Sequence, residues 1–235
     1  MKMKIVIILI IFMVVLLFSY SKMNKEEINY TILGDKELFS NNIISKNFSD
    51  LIYDKLSYED NFGFYSEDFI KKDIRIIDVI NQITDNEKID GITIQNILKR
   101  TNILLLNIGN NEINYKLSKI DEDTSNKAVY IYLDDVYDDL IELINIIKNY
   151  DDKNIILLGF YNDTGNTNNN KYYEYMNNKL NIYCKKNNIT FINLFNILNK
   201  NEDYLSNKYI TNEGNLAIFN KIYSKIDNLY LHKTY

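Results

Sequence analysis

The sequence predicts a three-layer α/β/α sandwich built on a parallel, flavodoxin-like sheet. Three observations lead there. Several short runs are mostly apolar, notably Ile28–Leu33, Ile103–Ile108 and Asn154–Phe160. Strands buried on both faces read this way, whereas half-exposed strands alternate. These runs also alternate with longer segments of helical apolar spacing, the pattern of a parallel sheet covered on both faces. Finally, the 235-residue chain is 46% hydrophobic and 25% charged, ample for one buried core.

Taken in order, Lys2 and Lys4 precede an unbroken apolar run, residues 5–18. At ~1.5 Å per residue it spans roughly 21 Å as a helix, short of the ~30 Å hydrocarbon core. The length suits a secretory signal peptide. Ser19-Tyr20-Ser21 is a poor cleavage site, and Lys2, Lys4 and Lys22 can snorkel around an uncleaved helix. Residues 1–22 are therefore expected to be a signal-anchor, with a cleaved signal peptide as the alternative. Either reading exports the rest of a bacterial chain, leaving an extracytoplasmic domain beyond the cell membrane. A charged linker, 23–27, leads into a single domain, 28–235.

Within that domain Ile28–Leu33 reads as the first strand and Phe48–Leu56 as a helix. Asn61–Ser66 reads as a second strand end and loop. Ile74–Ile83 and Thr93–Leu98 read as helical pieces, and Ile103–Ile108 as the strongest strand. A long helix over Lys127–Tyr150 carries Val136, Leu140, Leu143, Ile144 and Ile147 on one face. After the strand Asn154–Phe160, the loop Tyr161–Asn170 is rich in Asn, Asp, Gly and Thr and reads as flexible. A helix over Tyr172–Lys186, a strand over Ile189–Leu194 and a helix over Glu213–Leu229 complete the chain.

Charge and composition exclude some functions. A net charge of -5 gives no basic footprint for nucleic acid. The 20 tyrosines are scattered, without the clustered cations of a stacking platform. Asp134, Asp135, Asp138 and Asp139 lie on one helix and read as a solvated face rather than a metal site, so neither metal nor cofactor is expected. The one cysteine, Cys184, rules out an internal disulfide and reads as a small core residue.

Three element boundaries carry polar punctuation: Gly34-Asp35-Lys36 after the first strand, Gly109-Asn110-Asn111-Glu112 after the middle one, and Asn212-Glu213-Gly214 before the last helix. Their order and spacing resemble the SGNH (GDSL-type) hydrolases, esterases and lipases on a flavodoxin-like sheet. The resemblance spans Ile28 to Leu229. In that family a serine nucleophile follows Gly-Asp; here the position holds Lys36. The second block, Asn-x-Gly-x-x-Gly, is matched loosely by Asn61-x-Gly63-x-x-Ser66, which implies Ser66 as a backbone donor to the oxyanion hole. The third block, Gly-x-Asn-Asp, maps to Gly109, Asn111 and Glu112, with Asn111 as the side-chain donor. Counting back from Gly214, the family histidine falls on Tyr209 and its aspartate on Ser206. Asp35 is implied to be structural, tying its loop to neighbouring backbone.

Nucleophile, base and orienting acid are thus all replaced. A protonated lysine is not nucleophilic, and a tyrosine titrating near ~10 is a poor base at neutral pH. The only histidine, His232, lies beyond the far end of the last helix, roughly 24 Å from its start. The resemblance therefore implies a degenerate member lacking the catalytic Ser and His: a membrane-tethered pseudoenzyme acting as a binding or accessory factor. Lys36, Ser66 and Asn111 would form a binding remnant for an envelope small molecule or glycan bearing a carboxylate or phosphate. The competing reading is an active esterase or acyl hydrolase acting on envelope lipids or acylated glycans, with Ser40 or Ser66 as nucleophile. A passive envelope scaffold is the third.

Overall fold

The computed structural model describes residues 10–13, 26–35, 46–120, 125–150, 154–206 and 209–231. Five parallel strands form one sheet in the order β2-β1-β5-β6-β7: β1 (Ile28–Gly34), β2 (Phe62–Ser66), β5 (Ile103–Asn107), β6 (Asn154–Leu158) and β7 (Thr190–Ile192). Successive side chains of a strand point to opposite faces, so each apolar run feeds both layers. Leu33, Leu104, Leu106, Ile155 and Leu157 face one core. Ile28, Tyr30, Ile32, Ile103, Leu105, Ile156 and Leu158 face the other.

The second core is closed by α1 (Phe48–Leu56) and by the last long helix, Asn212–Ile226. The first is closed by α2 (Ile76–Thr84), α3 (Ile94–Arg100), α4 (Asn110–Ser118), α5 (Asn126–Lys148) and α6 (Asn170–Lys186). Helix α5 buries Val129, Leu133, Val136, Leu140, Leu143, Ile144 and Ile147, a stripe at i, i+3, i+4 and i+7. A short helix, α7 (Leu194–Leu198), and two small hairpins, β3–β4 (Lys88–Ile89, Ile92–Thr93) and β8–β9 (Leu205–Ser206, Tyr209–Ile210), complete the domain. The last long helix is α8. The three-layer α/β/α expectation therefore holds.

Several local expectations are corrected. Phe62–Ser66 is a full edge strand, not a strand end and loop. Residues 110–118, read only as polar punctuation, form α4, whose buried residues are just Ile113 and Leu117. The Tyr161–Asn170 loop is ordered by Asn162, whose amide donates to the Asn166 carbonyl at 2.9 Å and to Asn170 Oδ1 at 2.7 Å. Asp134 is engaged rather than merely solvated: it accepts from Lys179 Nζ and from the Tyr175 hydroxyl, each at 2.6 Å. Cys184 is fully buried in the first core, as expected.

Of the expected anchor only residues 10–13 are described, as helix; the remainder of 1–25 lies outside the described residues. Among the described residues no helix is long and apolar enough to cross a membrane.

Candidate functional site at the switch point of the sheet

In a 2-1-3-4-5 sheet the strand order reverses between the first and third strands, and the crevice at their C-terminal ends is where ligands sit. Here that point lies between the ends of β1 and β5, at Asp35 and Asn107.

Gly34 makes the crossing feasible. Its φ is +118°, and a Cβ there would stand 1.9 Å from the Asn107 carbonyl oxygen. Only glycine fits both the left-handed backbone and that close approach. The chain then locks: the Asp35 amide donates to the Asn107 carbonyl at 2.8 Å, and the Asn107 side-chain amide donates back to the Asp35 carbonyl at 3.1 Å. Asp35 is buried, only 5% exposed. Its Oδ1 accepts from the Asp73 amide at 3.1 Å, and its Oδ2 accepts from the Asn111 side-chain amide.

Gly109 turns the chain out of β5 at φ +100° and caps α4, placing Asn111 in the first turn beside Asp35. One residue on, Glu112 reaches away from the cleft. Its Oε1 accepts from the Ile76 amide at the start of α2, and its Oε2 is buried without a partner. Burial, the dominant influence, raises the Glu112 carboxyl above its ordinary value, against the opposing pull of the Ile76 amide. Glu112 thus acts as an end-cap for a neighbouring helix.

The recess between these groups is lined by Asp35, Asn107, Ile108, Asn110, Asn111, Tyr161 and Asp163, with a volume of about 20 Å³. That is space for about one water molecule. Asn110 Oδ1 accepts from the Tyr161 amide at 3.1 Å, and the Asn114 amide holds both oxygens of Asp163 at 2.9 and 2.8 Å. The lining is therefore fixed from three strand ends at once.

Ser66 does not reach this place. It pairs with Thr31, four residues before Asp35, or roughly 13 Å at ~3.3 Å per residue. Its buried hydroxyl donates to Asp68 at 2.9 Å. The Asn61 amide donates to the Glu26 carbonyl at the opposite, N-terminal edge of the sheet. The segment that flanks Asp35 is instead Lys71–Asp73: Lys71 bridges to Asp35 and its amide donates to the Gly34 carbonyl at 3.2 Å. Sequence spacing missed it because the contact is made between strand extensions about 35 residues apart, with no local pattern to mark it.

The family's acid and base positions lie on the β8–β9 hairpin, where Ser206 pairs with Tyr209. Tyr209 is 52% exposed and Ser206 is exposed too. Thr211 caps α8 by accepting from the Gly214 amide at 3.1 Å, and a Cβ on Gly214 would stand 2.5 Å from the Tyr204 carbonyl oxygen. Asn215 accepts from the Phe48 amide at 3.0 Å, pinning the start of α8 to the start of α1, beside the C-terminal edge of the sheet.

Lys36, Ser40 and His232 lie outside the described residues. Tyr230, two residues before His232, bonds the Asn102 carbonyl at 2.9 Å and the Asn154 side chain at 2.5 Å. Asn102 precedes β5 and Asn154 opens β6, so Tyr230 is fixed at the N-terminal edge of the sheet, opposite Asp35.

No protein-family model matches the sequence, and no curated protein matches it. Solved structures do. The chain is similar to a lipase from a goat rumen metagenome, with a TM-score of 0.68 and 15% identity, covering 84% of this chain and 96% of that one. It is also similar to a member of the lipolytic G-D-S-L family from Veillonella parvula, with a TM-score of 0.57 and 13% identity over 83% and 96% of the two chains. A catalytic mutant of an acetylxylan esterase from Geobacillus stearothermophilus superposes with a TM-score of 0.59 and 11% identity over 86% and 94%. At such identities the likeness is one of architecture, and it extends over nearly the whole of each relative. The chain has the fold of the SGNH (GDSL-type) hydrolases.

Proposed function

We propose that this is a membrane-tethered, extracytoplasmic protein that keeps the hydrolase scaffold without its chemistry and serves as a binding or accessory factor. One observation carries the reading. The sequence has a single histidine, His232, and Tyr230 is bonded to the strand starts at the edge of the sheet opposite Asp35. A serine hydroxyl needs a base to take its proton, and an imidazole titrating near neutrality is the usual one. Tyr209 at the base position is exposed, and a phenol is not the imidazole that the chemistry calls for.

Lys36, at the family's nucleophile position, would supply the positive charge for a carboxylate or phosphate, with the Asn111 N–H not given to Asp35 as a further donor.

The test is turnover of p-nitrophenyl acetate by the full chain, by Lys36→Ser and by Lys36→Ser/Tyr209→His. No turnover above buffer is expected from the unmodified chain. Turnover that Ser40→Ala abolishes would overturn the proposal in favour of an active esterase. Gain of activity in the double variant would support the placement of Lys36 and Tyr209 at the family's nucleophile and base positions.

A further inference from the structure

Seven glycines occur in the chain, and Gly91 alone follows an aspartate or an asparagine. Asp90-Gly91 is the two-residue loop between β3 and β4, where Lys88 pairs with Thr93 and Ile89 with Ile92. Asp90 has φ +49° and Gly91 φ +88°. Two positive φ values mark the primed turn whose twist suits a tight hairpin, and Asp-Gly is among its favoured pairs. The fold thus accounts for the pair, and it leaves both residues chemically free.

Asp90 and Gly91 are exposed. Among the described residues the Asp90 carboxylate makes no hydrogen bond or ion pair, and the Gly91 amide makes no hydrogen bond. Asp78 and Asp134, by contrast, are held by Arg75 and Lys179. A Cβ on Gly91 would meet nothing within 4 Å, so no neighbour fences the loop. The ribbon is two residue pairs long and separate from the main sheet. So short a hairpin is marginal in water, and its local opening needs little free energy.

We propose that Asp90-Gly91 is a site of spontaneous backbone isomerisation, through a cyclic imide, to a β-linked aspartyl bond. With the loop open, the Gly91 nitrogen attacks Cγ of the protonated Asp90 carboxyl. The N–Cγ bond forms, one Cγ–O bond breaks, and the amide hydrogen leaves with the carboxyl OH as one water. Glycine matters because a side chain there would crowd the attacking nitrogen. A second water reopens the five-membered ring. Cleavage at Cγ restores the aspartate, and cleavage at the main-chain carbonyl carbon leaves the chain running through Cβ and Cγ. The mass is unchanged and no oxidant or partner is needed.

The β-linked form carries one extra backbone atom, which the two-residue primed turn does not accommodate. What it loosens lies next to the switch point. Ile89 packs against the first core, and Glu87, whose carbonyl accepts from the Ile94 amide at 2.9 Å, holds Lys71 at 2.7 and 2.9 Å. Lys71 in turn bridges to Asp35. The proposal is independent of Lys36 and of whether the protein hydrolyses esters.

The experiment is a time course of the full chain held at physiological temperature and neutral pH for several weeks. Trypsin releases Ile89–Lys99. The β-linked peptide has the same mass, a shifted retention time, resistance to endoproteinase Asp-N and reactivity with an isoaspartyl methyltransferase. Its fraction is expected to rise steadily in the native chain, ahead of the product at any other aspartate. Gly91→Asn keeps a residue tolerant of positive φ but crowds the nitrogen, so most of the product should be lost. A thermal melt establishes whether that variant is folded; the unmodified chain carries the test if it is not. No second peak of equal mass in the native chain, or product confined to chain unfolded in urea, would overturn the proposal. So would formation no faster at Asp90 than at other aspartates, or an unchanged rate in folded Gly91→Asn.

Discussion

Asp35→Asn is the substitution that best separates a scaffold carboxylate from a dispensable one. Asp35 accepts two hydrogen bonds through different oxygens, from the Asp73 backbone amide and from the Asn111 side-chain amide. Both partners are donors, and Asp35 as a residue is only 5% exposed. An asparagine offers one oxygen and one NH₂; with the oxygen kept on the fixed Asp73 amide, its NH₂ faces the Asn111 NH₂ as that side chain is held here, and a favourable pair needs the Asn111 amide to flip. The change forfeits one hydrogen bond to a charged acceptor, about 1.5–3 kcal/mol, and leaves an N–H unpaired. A loss of roughly 2–4 kcal/mol is expected, close to that of Asp35→Ala, although Asn is nearly the same shape. Urea unfolding of the full chain, followed by far-UV circular dichroism, measures it. The double variant with Asn111→Ala should recover part of the loss, because removing the opposing NH₂ removes the clash. If Asp35→Asn costs under about 0.5 kcal/mol, the two-donor account of this carboxylate is wrong.

Gly34→Ala should be harsher still. Its Cβ would overlap the Asn107 carbonyl oxygen at 1.9 Å on a backbone at φ +118°, so soluble expression is expected to collapse; wild-type yield and melting temperature would refute it. Glu112, raised from its ordinary 4.5 by burial, binds its proton more tightly folded than unfolded. Stability should therefore fall as pH rises from about 4.5 through its folded value; a urea midpoint series should show that limb, and Glu112→Gln should flatten it. Cys184, fully buried and with its thiol pushed up to about 12 by burial, should resist a thiol-specific disulfide reagent in the native chain and react at once in denaturant.

The sheet and the long helices were legible because both carry their burial in the sequence. Ile103–Ile108 and Asn154–Phe160 are almost continuously apolar since each strand is covered on both faces, and α5 repeats its apolar stripe over 23 residues. The second core, by contrast, recruits the β8–β9 hairpin, among its described residues, through Ile210 and Leu205, too few to form a pattern. Helix α4 was hidden for the same reason: nine mostly polar residues bury just two side chains, and its start depends on Gly109 at positive φ rather than on an Asn or Ser cap.

At the site, Gly34, Asp35, Gly109 and Asn111 stood out as punctuation and do converge. Ser66 was misplaced because a Gly-spaced motif does not reveal where a strand ends. Phe62–Ser66 continues as strand past Gly63 and stops opposite Thr31, which leaves Ser66 short of the Asp35 end of β1. Lys71–Asp73, which took that place, has no local signature: what identifies it is the pairing of its backbone with Gly34 and Asp35.

The route by which the chain enters the sheet sets the orientation of everything above it. The Glu26 and Glu27 carbonyls are held by the side chains of Asn61 and Asn102, at the edge where β2 and β5 begin. The recess at Asp35 lies at the other end of the seven-residue β1, roughly 23 Å along the strand direction. The chain thus enters the sheet at the edge opposite the recess, and under the proposed tethered reading any N-terminal attachment would join the domain on the side away from Asp35.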